Sequence, residues 1–361
     1  MTNQMTLNIS DQISNLASFG WRAFFTTQLE ADDFERMCAV RVMAVHRGAL
    51  HVAGPWIDTT VPPFQADDTD DETRATVGDW LLLDANSLRP QKLLQRHSLF
   101  KRRSAGTART VQLIAANVDT LFIVTSCNQD FNIARLERYL ALALEAGATP
   151  VIVLTKADLS EQAHDFTDKA YALQPALMVE TLNALDTQSV QKLLPWCSAG
   201  QTVALVGSSG VGKSTLINTL TKQPVISTQG IREDDAKGRH TTTGRALYSM
   251  SSGGWLIDTP GMRELQLTDV QTGIDQVFAD IMALAKSCRF NTCHHDTEPG
   301  CAVKAAIAGG ELDSGRLKRW NKLVAEETYN TESLAERRSR DRAFSKLVKR
   351  TMKDKKSFNE R

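Results

Sequence analysis

Between residues 37 and 103 apolar side chains recur at every second position in short runs. Val40-Arg41-Val42-Met43-Ala44-Val45, the turn at Arg47-Gly48, Leu50-His51-Val52 and Trp80-Leu81-Leu82-Leu83 predict short strands separated by turns, an all-β region. The acidic run Asp67-Asp68-Thr69-Asp70-Asp71-Glu72 reads as a solvated loop within it. From Thr120 onward the period changes. Leu121-Phe122-Ile123-Val124 and Val151-Ile152-Val153-Leu154 are continuous apolar runs of strand length, and between them Ile133, Leu136, Leu140, Ala143 and Leu144 share one helical face. Val203-Ala204-Leu205-Val206, a helix over Thr215–Leu220, the strand Trp255-Leu256-Ile257 and a further helix over Leu312–Ala325 continue the pattern. Strands that alternate with helices predict a mainly parallel α/β sheet.

Three of these strands run straight into candidate chemistry. Val203–Val206 leads into Gly207-Ser208-Ser209-Gly210-Val211-Gly212-Lys213-Ser214, a match to G-x-x-x-x-G-K-[ST] in the strand–loop–helix setting that the motif needs. Its glycines let backbone N–H groups turn toward phosphate oxygens at a helix N-terminus, whose dipole favours anions. Lys213 is expected on the β- and γ-phosphates as a catalytic group and Ser214 on magnesium, with Thr215 beside them. Trp255–Ile257 leads into Asp258-Thr259-Pro260-Gly261, which offers a magnesium carboxylate at Asp258 and a γ-phosphate-sensing N–H at Gly261. Val151–Leu154 leads into Thr155-Lys156-Ala157-Asp158. Its Asp158 carboxylate can accept from guanine N1–H and the exocyclic amine, an arrangement adenine cannot match, and leaving a buried polar group unpaired discriminates strongly. Many such motifs carry Asn where Thr155 stands, so a looser base pocket is expected. The last base-contacting loop is expected after the strand near Leu177-Met178-Val179, around Thr181 to Ala184.

These motifs describe a site for GTP and GDP, but in rotated order: the base motif precedes the phosphate loop, and the magnesium motif comes last. Such a rotation leaves every strand in its place in the sheet, because domain termini lie close enough to be rejoined. Between phosphate loop and Asp258 lies Gly238-Arg239-His240-Thr241-Thr242-Thr243, a candidate switch segment of the kind ordered by triphosphate. Spacing leaves the choice among the three threonines open; Thr243 is taken as the magnesium ligand beside Ser214 and Asp258. The position after Gly261, where a Gln orients the attacking water in Ras-like enzymes, is Met262, and a thioether cannot do this. His240 is the substitute that the switch segment offers.

A second constellation is Cys288-x4-Cys293-x-His295-x5-Cys301. Three thiolates and an imidazole at short spacing suit a closed tetrahedral zinc site, which leaves no open position for catalysis. Chemistry alone does not choose between His294 and His295. A disulfide is the competing explanation, disfavoured in a reducing compartment. Cys38, Cys127 and Cys197 are scattered singly and read as ordinary buried thiols.

A chain of 361 residues has room for two or three domains, and 42 basic against 42 acidic side chains exclude a general affinity for polyanions. The charge is uneven, however. Arg337 to Arg361 holds eleven Lys/Arg against three Asp/Glu and few aliphatics, a tail suited to RNA phosphates. Arg96, Lys101, Arg102, Arg103 and Arg109 form a second basic edge, readable as phosphate-binding or as solvated surface. No apolar run reaches membrane-spanning length and Met1–Ser10 lacks a signal peptide's apolar core, so a cytoplasmic protein with no membrane role is expected, with monomer the simplest oligomeric state.

Taken together with Ala75-Thr76-Val77-Gly78-Asp79-Trp80, Ala115-Ala116-Asn117-Val118-Asp119 and Arg135-Leu136-Glu137-Arg138-Tyr139-Leu140, these residues resemble the ribosome small-subunit-dependent GTPase A family of bacteria. The resemblance spans nearly the whole chain. It implies a circularly permuted P-loop GTPase domain at 111–270, flanked by an OB-fold RNA-binding barrel at 37–110 and a mainly helical zinc-binding domain at 271–335, with an N-terminal extension at 1–36 and a basic tail at 336–361. It selects His295 as the fourth zinc ligand and favours His240 as the water-positioning group. It implies GTP hydrolysis with Mg2+, one structural Zn2+, and the small ribosomal subunit and its ribosomal RNA as partners in late maturation. A GTPase that inserts metal into another protein, and an RNA-binding protein with a degenerate nucleotide pocket, are the alternatives.

Overall fold

In the computed structural model, which describes residues 14–103, 111–221, 245–258, 267 and 269–331, the alternating region becomes five strands. They are β1 (Met37–His46), β2 (Ala49–Ala53), β3 (Asp58–Val61), β4 (Trp80–Asp84) and β5 (Pro90–Leu93). β1 pairs with β2 on one side and β4 on the other, and the path β3-β2-β1-β4-β5 is antiparallel throughout. It is the partly open five-stranded OB architecture. Val40, Val42, Leu50, Val52, Val61, Leu81 and Leu83 fill its interior. Trp80–Leu83 is apolar at every position because both faces are covered. Leu81 and Leu83 join the barrel core, while Trp80 and Leu82 pack with Leu16, Trp21 and Phe25 of the N-terminal segment. A strand buried on both faces loses its polar alternation.

A hairpin of β6 (Leu99–Arg103) and β7 (Val111–Ala116) leads into the α/β region. Its strands are β8 (Thr120–Ser126), β9 (Thr149–Thr155), β10 (Met178–Thr181), β11 (Thr202–Val206), β12 (Arg245–Ser249) and β13 (Trp255–Asp258). Helix α1 (Ile133–Ala146) joins β8 to β9, α2 (Ala163–Tyr171) joins β9 to β10, and α3 (Lys213–Thr221) follows β11. The spatial order is β10-β9-β8-β11-β13-β12, parallel except for β12. Chain order therefore reverses on either side of β11, which makes its carboxyl end the topological switch point where open α/β sheets bind ligands. The strand expected near Leu177–Val179 starts at Met178 and reaches Thr181.

The sequence did not announce that barrel and α/β sheet are one continuous sheet. β12 is not an edge strand: Ala246 and Arg245 pair with Ala44 and Val45 of β1. β4 pairs with Met37–Arg41, and β12 takes up the same flank of β1 further along, past an irregularity between Val42 and Ala44. Arg41 stands at this exchange and is fully buried, the polar side of an alternating strand turned inward rather than to water. Its guanidinium donates to the carbonyls of Phe19, Gly78 and Asn117 and to Thr202 Oγ1, so one side chain ties the N-terminal segment, the barrel, the connector and β11. Burial pushes its pKa down to about 10, so it stays charged at neutral pH. Arg41→Met would orphan these acceptors and should destabilise the protein by about 3–5 kcal/mol in urea unfolding, whereas a loss below about 1 kcal/mol would contradict this account.

Among the described residues, those up to 258 together with 272–279 form one compact unit, and 267, 269–271 and 280–331 form a second. Helix α4 (Gln271–Val277) crosses the division, and α5 (Ala279–Ala285), α6 (Ala302–Ala308) and α7 (Ser314–Thr331) follow. Ile281, Val303, Ala306, Leu317 and Leu323 supply the small core of the second unit, where Arg316 of α7 holds Asp280 of α5. The helix expected over Leu312–Ala325 starts at Ser314 and runs on to Thr331. Among the described residues no helix is long and apolar enough to cross a membrane. The basic tail lies outside them.

Candidate nucleotide site and cysteine cluster

The base motif and the phosphate loop lie at the carboxyl ends of β9 and β11, and Asp258 of the third motif ends β13. The phosphate loop leaves β11 at Gly207, whose φ is +142° and where an added Cβ would sit 2.1 Å from the carbonyl oxygen of Val124. Only glycine lets the loop turn this close to β8. Lys213 opens α3 and is 7 % exposed; its ammonium donates to the carbonyl of Gly207 at 2.7 Å and to that of Ser208. Ser214 and Thr215 follow on the first turn, half-buried, and Ser209, Gly210 and Val211 line a cleft of about 420 Å³. Its other walls are Lys156 and the loop after β8, namely Ser126, Asn128, Gln129 and Asp130. Sequence reasoning missed this loop, which carries no motif. Asp130 accepts from Ser208 Oγ at 2.6 Å, and Arg135 of α1 holds Asp130 at 3.2 Å.

The base motif is built differently from the expectation. Thr155, fully buried, lies with its hydroxyl 2.6 Å from the carbonyl of Val211 and 3.2 Å from that of Thr125, which fastens the base strand to the phosphate loop. Thr155 thus ties the base strand to the phosphate loop, a contact separate from the base pocket itself. Lys156 adopts a left-handed backbone (φ 57°), the kind of strain that collects at ligand sites when its surroundings hold it. Ala157 and Asp158 begin a 3-10 turn, and Asp158 is exposed. Leu182 N–H bonds Leu154 O at the end of β9, Asn183 N–H bonds Ser189 Oγ, and Thr219 of α3 donates to Ala184 O. The Thr181–Ala184 loop is therefore pinned between β9 and α3. Asp258 ends β13, half-buried and near enough to push the Tyr248 hydroxyl upward, secondary to burial. Gly261, Met262, His240 and Thr241–Thr243 lie outside the described residues.

The basic edge is partly structural. Arg96 forks onto the fully buried Asp79 at 2.7 and 2.8 Å and donates to the carbonyls of Glu72 and Arg74. Lys101 pairs with Glu72 at 2.6 Å. Arg96 is thereby built into the barrel, while the part-exposed Lys101 is only paired with the acidic loop. Arg102 bonds Gln112 Oε1 at 2.8 Å, and the Arg103 side chain and Arg109 lie outside the described residues.

In the second unit the structure brings Cys288, Cys293, His295 and Cys301 together, their ligand atoms all within 4.8 Å of one another. Cys288 Sγ lies 3.6 Å from His295 Nδ1 and 3.9 Å from Cys301 Sγ, and His295 Nδ1 lies 3.4 Å from Cys301 Sγ. A tetrahedral zinc ion needs S···S near 3.8 Å and S···N near 3.6 Å, from bonds of about 2.3 and about 2.0 Å. A disulfide needs about 2.05 Å. The donors therefore fit zinc, and His295 rather than His294 is the imidazole among them; the backbone N–H of His294 goes to Glu298. Glu298 also accepts from Asp296 and Thr297, and these amides, His294's first, hold its carboxyl down to about 2. This ring of bonds fixes the loop that carries His295. Cys301 caps α6, its sulfur accepting from Lys304 N–H, and a helix N-terminus favours a thiolate. Burial pushes the Cys288 thiol up, but the amides of Val303 and Ala302 and the neighbouring thiols outweigh it, and the net direction is down. Of the three scattered cysteines read as buried thiols, Cys127 and Cys197 are buried, and burial pushes them up to about 11 and about 12, whereas Cys38 on β1 is only half-buried.

A phosphate loop at the switch point, a guanine motif one strand pair away and a magnesium carboxylate on the adjoining strand, in rotated chain order, define a circularly permuted P-loop GTPase. The RsgA GTPase family matches residues 93–268. A small ribosomal subunit biogenesis GTPase RsgA 2 from Vibrio parahaemolyticus is 49% identical over 340 residues, covering 94% of this chain and 93% of its own. A small ribosomal subunit biogenesis GTPase RsgA from Mesorhizobium japonicum is 53% identical over 320 residues, 88% of this chain and 91% of its own. This chain belongs to the RsgA GTPase family. Among solved structures, YjeQ from Thermotoga maritima matches with TM-score 0.60 and 21% identity over 80% of this chain and 98% of that one. YloQ, described as a circularly permuted GTPase, matches at 0.55 and 23% over 82% and 96%. These two likenesses establish the fold.

Proposed function

We propose that the chain hydrolyses GTP with Mg2+ during late maturation of the small ribosomal subunit, binding ribosomal RNA and accelerated by the subunit. One observation carries this reading: a phosphate loop, a guanine-type motif and the Asp258 carboxylate at neighbouring strand ends stand in a chain about half identical, over nearly its whole length, to relatives named for small-subunit biogenesis. Lys213 and the phosphate-loop amides hold the β- and γ-phosphates, Ser214, Asp258 and Thr243 complete the magnesium shell, and Asp158 reads guanine against Lys156 and Ala157. Gly261 senses the γ-phosphate, and His240 orients the water that Met262 cannot. The barrel at 37–110 and the zinc domain at 271–335 flank the GTPase domain at 111–270 and, with the basic tail from 336, contact RNA. The protein works as a cytoplasmic monomer with one structural Zn2+ on Cys288, Cys293, His295 and Cys301. A closed four-donor set with His295 and Cys301 buried has no open position from which to pass on a metal, which counts against a metal-insertion role.

GTP turnover measured with and without purified small subunits tests the assignment. Stimulation by about a hundredfold or more is expected, the scale on which a partner completes a GTPase site. His240→Ala should lose that stimulation with GTP binding intact, and Asp158→Asn should lose the preference for guanine. No stimulation of the wild type would remove the ribosomal assignment.

A further inference from the structure

We propose that Asp130 sets the nucleotide affinity of this site: it is a carboxylate built into the cleft wall that opposes the phosphates electrostatically, so that GDP leaves without a release factor. The inference rests on the GTPase reading above and concerns the regulation of the same site.

Two side chains fasten the phosphate loop to its surroundings. On one side the buried Thr155 hydroxyl meets the Val211 carbonyl at 2.6 Å, a neutral contact. On the other, Ser208 Oγ donates to Asp130 Oδ2 at 2.6 Å. Anchoring a hydroxyl needs an acceptor, not a charge; a carbonyl or an Asn side chain would serve it as well. The negative charge of Asp130 is therefore in excess of what anchoring requires, and it stands on the wall of the cleft that the phosphate-loop residues Ser209, Gly210 and Val211 also line.

The position of that charge is fixed. Asn128 Oδ1 accepts from Ser126 Oγ and from the Asp130 N–H, so the loop after β8 is braced by its own hydrogen bonds. Arg135 donates to the Asp130 carbonyl and to Oδ1, leaving Oδ2 to Ser208. With its side chain 32% exposed, Arg135 shares its field with water and offsets the carboxylate only in part. Asp130 lines the same cleft as Ser209 and Gly210. A unit charge within several ångströms of the phosphates, in a partly solvated cleft, changes affinity by about tenfold.

Stopped-flow binding of fluorescent GDP and GTP to the full chain with magnesium tests this. Asp130→Asn keeps the acceptor for Ser208 and deletes the charge. It should bind both nucleotides about tenfold tighter, mainly through slower release, with the gain shrinking at high salt. Asp130→Glu retains the charge and should stay near the wild type, and Ser208→Ala, which removes the anchor and keeps the charge, should not tighten binding. If Asp130→Asn binds more weakly than the wild type, or equally, the residue is only a loop anchor and the proposal is wrong. A wild-type chain that binds neither nucleotide would instead overturn the GTPase reading beneath it.

Discussion

Replacing Lys213 by alanine is expected to reduce GTP turnover about a thousandfold, the cost of removing one preorganised donor from developing transition-state charge. The ammonium is 7 % exposed and held over the loop by the Gly207 and Ser208 carbonyls, so it is aimed before any phosphate arrives. The variant should fold. Alanine has the best helix propensity for the start of α3, and Leu216, Ile217 and Leu220 continue to bury that helix against the sheet core. Arginine should not rescue the activity, because a planar fork cannot occupy the place of a compact ammonium. Single-turnover hydrolysis and a circular dichroism melt run on the same sample separate the two effects. Turnover within tenfold of the wild type, with the melt unchanged, would mean that the loop serves structure rather than chemistry.

How much of this the sequence disclosed depends on how local each feature is. The phosphate loop, Asp158, Asp258 and the four zinc donors sit in short motifs whose spacing carries their geometry, and the structure places those among the described residues at strand ends or in one cluster. Arg41 and Arg96 were illegible for the opposite reason. Each is a polar residue in a position that alternation or basic context assigns to the surface, and acceptors from distant segments converge on it, burying Arg41 fully and Arg96 in part. No single-sequence pattern encodes that convergence. The N-terminal segment is a third case. Phe19 stacks on Trp255 at 5.6 Å, Ser18 accepts from its indole, and Arg22 pairs with Asp119, so the segment clasps the amino ends of β13 and β8. Its composition is unremarkable, and these partners lie more than ninety positions away. Thr155 shows the subtler failure, where the substituted residue was noticed but its hydroxyl's reach to the Val211 carbonyl was not.

Removing zinc should unfold the second unit. From Asp280 to Thr331 the buried apolar side chains are few, chiefly Ile281, Val303, Ala306, Leu312, Leu317 and Leu323, and a core this small does not sustain an independent fold without a staple. The staple closes where it does most. Cys288 follows α5, Cys301 starts α6, and His295 lies against Trp320 of α7 with ring centroids 5.7 Å apart, so an ion held there would join all three helices. Structural zinc contributes about 10–16 kcal/mol at neutral pH in small metal-folded peptides, far more than this core can replace. Cys293→Ser, or a strong chelator, should therefore abolish one equivalent of bound zinc by atomic absorption and remove amide-exchange protection across 280–331. Nucleotide binding should persist, since every described nucleotide-motif residue belongs to the other unit. A zinc-free chain that kept protection across α6 and α7 would show that the cysteines are not what holds this unit folded.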